Sequence, residues 1–195
     1  MTASVVQSER CLKNAFPVIS GGERDEEVKC LVFDPVNEYF IVGGKTLSND
    51  YGPSLSRHGF LYAIDLEGNW AWGRFYYNSS AINDITGCTL STDGKQVVAL
   101  GVGLSQPVMM VLNTTDGSID YLASLQNQDG PRPVIKTYGA ILLDNYNPTK
   151  ESTIFVSYLM SNKMLMVNLK YEVPGEGESV RLNWNYQFDD LSVFQ

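Results

Sequence analysis

The sequence predicts an all-β chain: three four-stranded antiparallel blades of β-propeller type, making an incomplete or open propeller. Three observations carry this expectation. The apolar segments are strand-sized, rich in β-branched and aromatic residues, and show no helical period. Two stretches repeat one another at an offset of 57 residues, Val28 falling on Ile85. In each copy an aromatic stands four positions beyond a turn glycine, Trp72 after Gly68 and Tyr121 after Gly117.

Taken in order, residues 1–27 read as an N-terminal arm, without the apolar core of a secretory signal. Its run Glu23-Arg24-Asp25-Glu26-Glu27 reads as a solvated loop. Blade 1 covers residues 28–80. Val28–Phe33 is a strand, Asp34-Pro35-Val36-Asn37 a tight reversal, and a second strand follows past Ile41. Residues 45–58 form a long Pro/Ser/Gly-rich loop, and Phe60–Asp65 then turns through Glu67-Gly68 into Asn69-Trp70-Ala71-Trp72. Blade 2, residues 81–130, repeats this plan: Ile85–Leu90, the turn Ser91-Thr92-Asp93-Gly94, then Val108–Asn113, Asp116-Gly117 and Tyr121. The offset sets Asn37 on Gly94, Ile41 on Val98 and Gly44 on Gly101. Blade 3 with a C-terminal strand, residues 131–195, is a looser copy. It has strands at Ala140–Leu143 and Thr153–Val156, a turn enlarged around Asn147-Pro148, and Met164–Leu169 leading to Trp184. Leu191–Phe194 reads as one further strand. Four short strands per roughly 40–50 residues is blade spacing.

Composition narrows the function classes. Of 195 residues, 44% are hydrophobic and 11% aromatic, enough for a packed core and too many for disorder. The formal charge of −8, with no basic stripe, argues against a nucleic-acid partner. No run approaches the ~18 apolar residues of a membrane span. The three cysteines, Cys11, Cys30 and Cys88, are an odd, widely spaced set that fits neither a disulfide framework nor a zinc site. Cys30 and Cys88 lie within apolar strands, where a free thiol behaves as a small hydrophobe, so the expectation is an intracellular, reducing location. Two triplets, Asn78-Ser79-Ser80 and Asn113-Thr114-Thr115, fit glycosylation and keep a secreted or surface location as the alternative.

The run Leu61-Tyr62-Ala63-Ile64-Asp65-Leu66-Glu67-Gly68-Asn69-Trp70-Ala71-Trp72 resembles the repeat of quinoprotein-like β-propellers, L-Y-A-L-D-x-x-T-G-x-x-x-W, with one residue fewer in the turn. In the second copy Asn113 replaces the Asp and Tyr121 the Trp. Gly68-Asn69-Trp70-Ala71-Trp72-Gly73 is also similar to the G-N-x-x-W turn of bacterial-type seven-bladed repeats, whereas WD40 repeats match less well. The resemblance covers residues 28–188. It implies that Trp72, Tyr121 and Trp184 pack between neighbouring blades. It transfers no cofactor-binding residue, because the enzymes of that superfamily build their centres from many blades.

The residue chemistry itself points away from catalysis. His58 is the sole histidine, which excludes a histidine metal cluster; its setting reads as a solvent-facing loop, with no assigned carboxylate to orient it as a base. Gly43-Gly44-Lys45-Thr46 has Tyr39 where a phosphate-binding loop needs glycine. Gly101-Val102-Gly103 lacks the third glycine of a dinucleotide fingerprint, and no G-x-S-x-G elbow occurs. Asp34, Asp65, Asp93 and Asp116 sit in turns, where the carboxylate bonds nearby backbone amides; they are not spaced to converge on a calcium ion. No catalytic residue, cofactor or metal is therefore expected.

Rings usually close with about four to eight blades. Three leave faces and edges uncovered, so the expected function is a non-enzymatic interaction or scaffold module. It would complete a propeller with a protein partner or by self-association. The alternative is part of a larger propeller enzyme or ligand-binding protein whose centre lies in other blades. Tyr51, Pro53, Leu55 and His58, in or beside the long loop, are the candidate partner-binding residues.

Overall fold

A computed structural model of the chain describes residues 22–51, 57–76, 82–91, 93–103, 106–124, 135–144, 151–160, 163–172 and 180–188. From residue 135 onward the description is of the backbone alone. Among these residues the only helix is a single 3₁₀ turn, Asn49–Tyr51, and no helix is long and apolar enough to cross a membrane. The strands are β1 (Glu26–Asp34), β2 (Tyr39–Thr46), β3 (His58–Asp65), β4 (Trp70–Tyr76), β5 (Ile82–Leu90), β6 (Gln96–Gly103), β7 (Gln106–Asn113) and β8 (Ile119–Ser124). They are followed by β9 (Ile135–Asp144), β10 (Glu151–Met160), β11 (Lys163–Glu172) and β12 (Val180–Phe188).

All pairing is antiparallel between chain neighbours. Two four-stranded sheets, β1-β2-β3-β4 and β5-β6-β7-β8, are defined to the side chain, and β9 to β12 pair in the same sequential order along their backbones. The expected all-β, four-stranded antiparallel architecture is thus present, with two sheets carrying its detail.

The 57-residue offset is visible in the ladders. Phe33–Phe40–Ile64 pair across sheet 1 as Leu90–Val97–Leu112 pair across sheet 2. Val28–Gly44–Phe60 likewise match Ile85–Gly101–Val108. A β-bulge falls at the same repeat position in both first strands, between Val28 and Cys30 and between Ile85 and Gly87. Close to the bulge, strand two must be glycine. A Cβ on Gly101 would sit 2.8 Å from the Asp84 carbonyl, and one on Gly44 would collide with the Glu27 carbonyl, the same place in the repeat.

Turn carboxylates close the hairpins as their residue types require. Asp34 accepts the Val36 amide at 2.9 Å, Asp65 the Asn69 amide at 2.7 Å, Asp93 the Lys95 amide at 3.1 Å and Asp116 the Ser118 amide at 2.8 Å. The Asn69 side chain, aided by its amide, holds the Asp65 carboxyl below the usual range; the Ser118 amide does the same for Asp116. Gly68 and Gly117 take positive φ, as hairpin glycines do. In the first β1–β2 turn, however, Glu38 holds the positive φ rather than Asn37, one place beyond the Gly94 equivalent.

Strand β3 explains why the sheets stack. Leu61 and Ala63 enter one apolar cluster, while Phe60, Tyr62 and Ile64 enter another on the opposite face. The first cluster joins sheets 1 and 2 through Ile41, Leu61, Ala63 and Trp72 against Ile85, Ala99, Met110 and Leu112. Sheet 2 also buries its far face, at Val98, Leu100, Met109 and Val111. There β9 runs beside β5 and β6.

Three expectations are corrected. Cys30 and Cys88 are not free thiols: they form a disulfide joining β1 to β5 across the sheet junction. The offset aligns Cys30 with Gly87, so the two cysteines are not repeat equivalents, and only the stacking of the sheets brings them together. His58 is not on a solvent-facing loop; it opens β3 opposite Thr46 and is 2% exposed. The Glu23–Glu27 run is solvated, with Glu23, Arg24, Asp25 and Glu27 exposed, but it is loop only in part. Arg24 N–H donates to the Ser48 hydroxyl at 2.8 Å, Leu47 N–H donates to the Asp25 carbonyl at 3.0 Å, and Glu26 and Glu27 already belong to β1.

Candidate interaction site

Two surfaces of sheet 1 matter: the face it presents to sheet 2 and the face it turns away. The first shows what a sheet-to-sheet junction needs. Trp72 reaches out of β4, and its indole N–H donates to the Thr114 carbonyl at 2.7 Å in the β7–β8 turn. Its ring lies over Gly117, where a Cβ would approach ring carbons to 2.5 Å. Two residues on, the Arg74 guanidinium donates to the Gly117 carbonyl at 2.7 Å and the Asp116 carbonyl at 3.2 Å. Thr114 is itself held, its hydroxyl donating to the Gly94 carbonyl at 2.6 Å and accepting from the Asn37 amide group at 3.2 Å. One buried hydroxyl thus ties turns of both sheets into a single unit.

At the other end of the junction Lys29, displaced by the β1 bulge, reaches Asp84 at 2.7 Å, with side-chain exposures of 8% and 4%. A carboxylate so enclosed is kept there by its cation, since an uncompensated buried charge is costly. The second Asp84 oxygen and the Tyr76 hydroxyl are buried with no hydrogen-bond partner among the described residues. Burial pushes the Tyr76 phenol up to about 12, with Arg74 pulling weakly the other way. Glu27 stays outside this enclosure, and its contact with the Lys45 ammonium holds its carboxyl below the usual range.

No protein-family model and no curated protein matches this chain.

The face of sheet 1 turned away from sheet 2 is apolar in three successive rows. Across β1 to β4 these rows hold Phe33–Phe40–Ile64–Trp70, Leu31–Val42–Tyr62–Gly73 and Val28–Gly44–Phe60–Phe75. No charged side chain occurs among these twelve positions. Phe60, Tyr62, Trp70 and Phe75 form a connected set of rings, with Tyr62–Trp70 centroids 4.6 Å apart, and Phe33 and Phe40 pair at 5.1 Å. Val28, Leu31, Phe33 and Trp70 stand between 45% and 61% exposed. A fourth row, Glu26–Thr46–His58, bounds the apolar field with polar groups: Glu26 accepts from the Thr46 hydroxyl at 2.9 Å and from Ser48.

The candidate residues of the loop are placed unevenly. Tyr51 ends the 3₁₀ turn, Pro53 and Leu55 lie outside the described residues, and His58 is buried at the edge of the apolar field. Of the aromatic trio, Trp72 bridges the two sheets, Tyr121 pairs with Val111 in β8, and Trp184 pairs with Asn168 in β12. Among the described residues no group of three or more His, Cys, Asp or Glu is placed to hold a metal ion. The loop is marked by its composition, whereas the outward face is signalled by Phe60–Ile64 itself, apolar at consecutive rather than alternate positions. That pattern belongs to a strand buried on both faces.

Proposed function

We propose that this chain is a non-enzymatic interaction module of β-propeller type, whose sheets are successive blades and whose outward sheet-1 face is its principal protein contact. The observation that carries the reading is the uncharged twelve-position field with an exposed rim. Contiguous apolar surface of this kind on a folded domain marks an interaction site. The blade reading is supported by the repeated ladders, the repeated bulge and the Trp72 bridge from one sheet to the turn of the next. The second reading, a piece of a larger propeller enzyme or ligand-binding protein, has the same field covered by further blades.

The disulfide also revises the proposed location. Disulfides persist in oxidising compartments, and this one supports the secreted or surface alternative over an intracellular one. Glycan mass on Asn78 or Asn113 is the expected companion observation; mass-spectrometric detection of free Cys30 and Cys88 thiols in the native protein would contradict it.

The contact itself is tested in the native source. The chain carrying Leu31→Asp and Phe33→Asp is compared with the unaltered chain by sedimentation of the cleared extract. A species heavier than the 21.7 kDa chain is expected for the unaltered protein and its loss for the variant. Identical sedimentation of the two would sink the reading.

A further inference from the structure

We propose that the outward face of sheet 1 receives strands β9–β12 of a second copy of this chain, the two copies closing head to tail into a six-bladed ring. The inference rests on the propeller reading above and names its partner.

The repeat identifies what the face is shaped for. Its residues are the equivalents of those with which sheet 2 receives sheet 1: Leu31 stands at the place of Cys88, Phe33 of Leu90, Val42 of Ala99, Tyr62 of Met110 and Ile64 of Leu112. In the observed junction that face meets a sheet whose fourth strand carries a bulged residue followed at once by an aromatic. In β4 these are Ala71 and Trp72, Trp72 pairing with Ala63 beside the shift. In β8 they are Asp120 and Tyr121, opposite Val111. Strand β12 has the same device, with Asn183 bulged and Trp184 opposite Asn168.

The acceptor is present too. Gly68 takes φ +86° in the β3–β4 turn as Gly117 takes φ +67° in the β7–β8 turn that carries the Trp72 ring. Leu66 follows Asp65 in that turn as Thr114 follows Asn113, the turn to Gly68 being one residue shorter than that to Gly117. Within one chain β12 pairs inside its own sheet, while the Leu66–Gly68 turn belongs to sheet 1. Two copies supply each unit with its complement, and three sheets from each make six, inside the range of about four to eight at which blades close. Both junctions of the ring are the same contact, related by the two-fold axis.

The test uses the purified full chain. Light scattering at micromolar concentration is expected to give about 43 kDa, twice the 21.7 kDa chain. Leu31→Asp places a charge in the sheet-1 face and Trp184→Ala removes the aromatic of β12. Each alone is expected to weaken the dimer about a hundredfold or more. Mixed together they recover dimer, because the mixed ring keeps one junction free of both changes. A photo-cross-linking residue at position 33 gives a readout if Trp184→Ala does not fold, with cross-links to residues 135–188 of the other copy expected. A monomeric chain overturns self-closure, and so do cross-links confined to β1–β4 or a failure to complement. A monomer that still enters a heavier, Leu31-dependent species in its source overturns self-closure alone. A monomer in both settings overturns the interaction reading as well.

Discussion

At the scale of single residues, the junction between the sheets is held by a few directional contacts laid over apolar packing. Trp72 combines both, with a large buried ring and one N–H satisfied by the Thr114 carbonyl. Truncation to alanine removes the ring, and Trp72→Ala is expected to cost about 3–5 kcal/mol. Trp72→Phe keeps most of the area and loses the hydrogen bond, at about 1 kcal/mol. Urea unfolding of both variants checks the order; equal losses would mean that the ring is not the larger contributor. Tyr76 makes a different statement. Its phenol titrates near 10 in the unfolded chain and near 12 when folded. Stability is therefore untouched by this group's ionisation below pH 10 and falls as pH rises from 10 towards 12, by about 3 kcal/mol at most. Tyr76→Phe should lose this alkaline decline and gain about 1 kcal/mol at neutral pH, because the buried hydroxyl has no partner among the described residues. Urea midpoints measured from pH 9 to 11.5 would show an undiminished decline if another group were responsible.

At the scale of elements, the repeated bulge is the feature most tightly coupled to sequence. It lifts Lys29 out of the β1 ladder towards Asp84 and forces glycine at positions 44 and 101. Gly101→Ala is expected to destabilise by about 1–3 kcal/mol, as overpacking against fixed backbone does. Thermal unfolding of this variant checks it; an unchanged midpoint would mean that the neighbouring carbonyl gives way without cost. Strand order and turn positions were legible in the sequence because strand runs, Asp-led turns and turn glycines are local. The Gly44–Gly101 match was visible as an alignment, but its cause was not, since the colliding carbonyls lie on a neighbouring strand. The Pro/Ser/Gly-rich stretch before His58 reads as loop, while its place in β3 is set by pairing with Thr46 of β2, a partner distant in sequence. The outward field was present in the unbroken apolar run of β3, yet only the register assembles it from four strands.

At the scale of the whole molecule, sheets 1 and 2 share one logic: each is apolar on both faces, and sheet 1 keeps one of them partly exposed. The Cys30–Cys88 bond fixes their stacking covalently, across a sequence separation of 58 residues. Closing a loop of that length restricts the unfolded chain by about 4 kcal/mol. Reduction should lower stability by roughly that amount, read as a shift of the urea midpoint with and without dithiothreitol; an unchanged midpoint would mean that the bond constrains nothing the packing does not already hold. The disulfide could not be read from spacing, because its cysteines occupy different repeat positions and meet only through the stacking. What remains at this scale is the outward face of sheet 1, which has the composition of a junction and the exposure of a rim. Hydroxyl-radical footprinting of the protein in its native source tests that face most directly. Ile119 and Leu122, 42% and 54% exposed on β8, serve as the internal reference. The account predicts that Leu31 and Phe33, each corrected for its intrinsic reactivity, are protected several-fold relative to them; oxidation of all four at comparable corrected rates would contradict it.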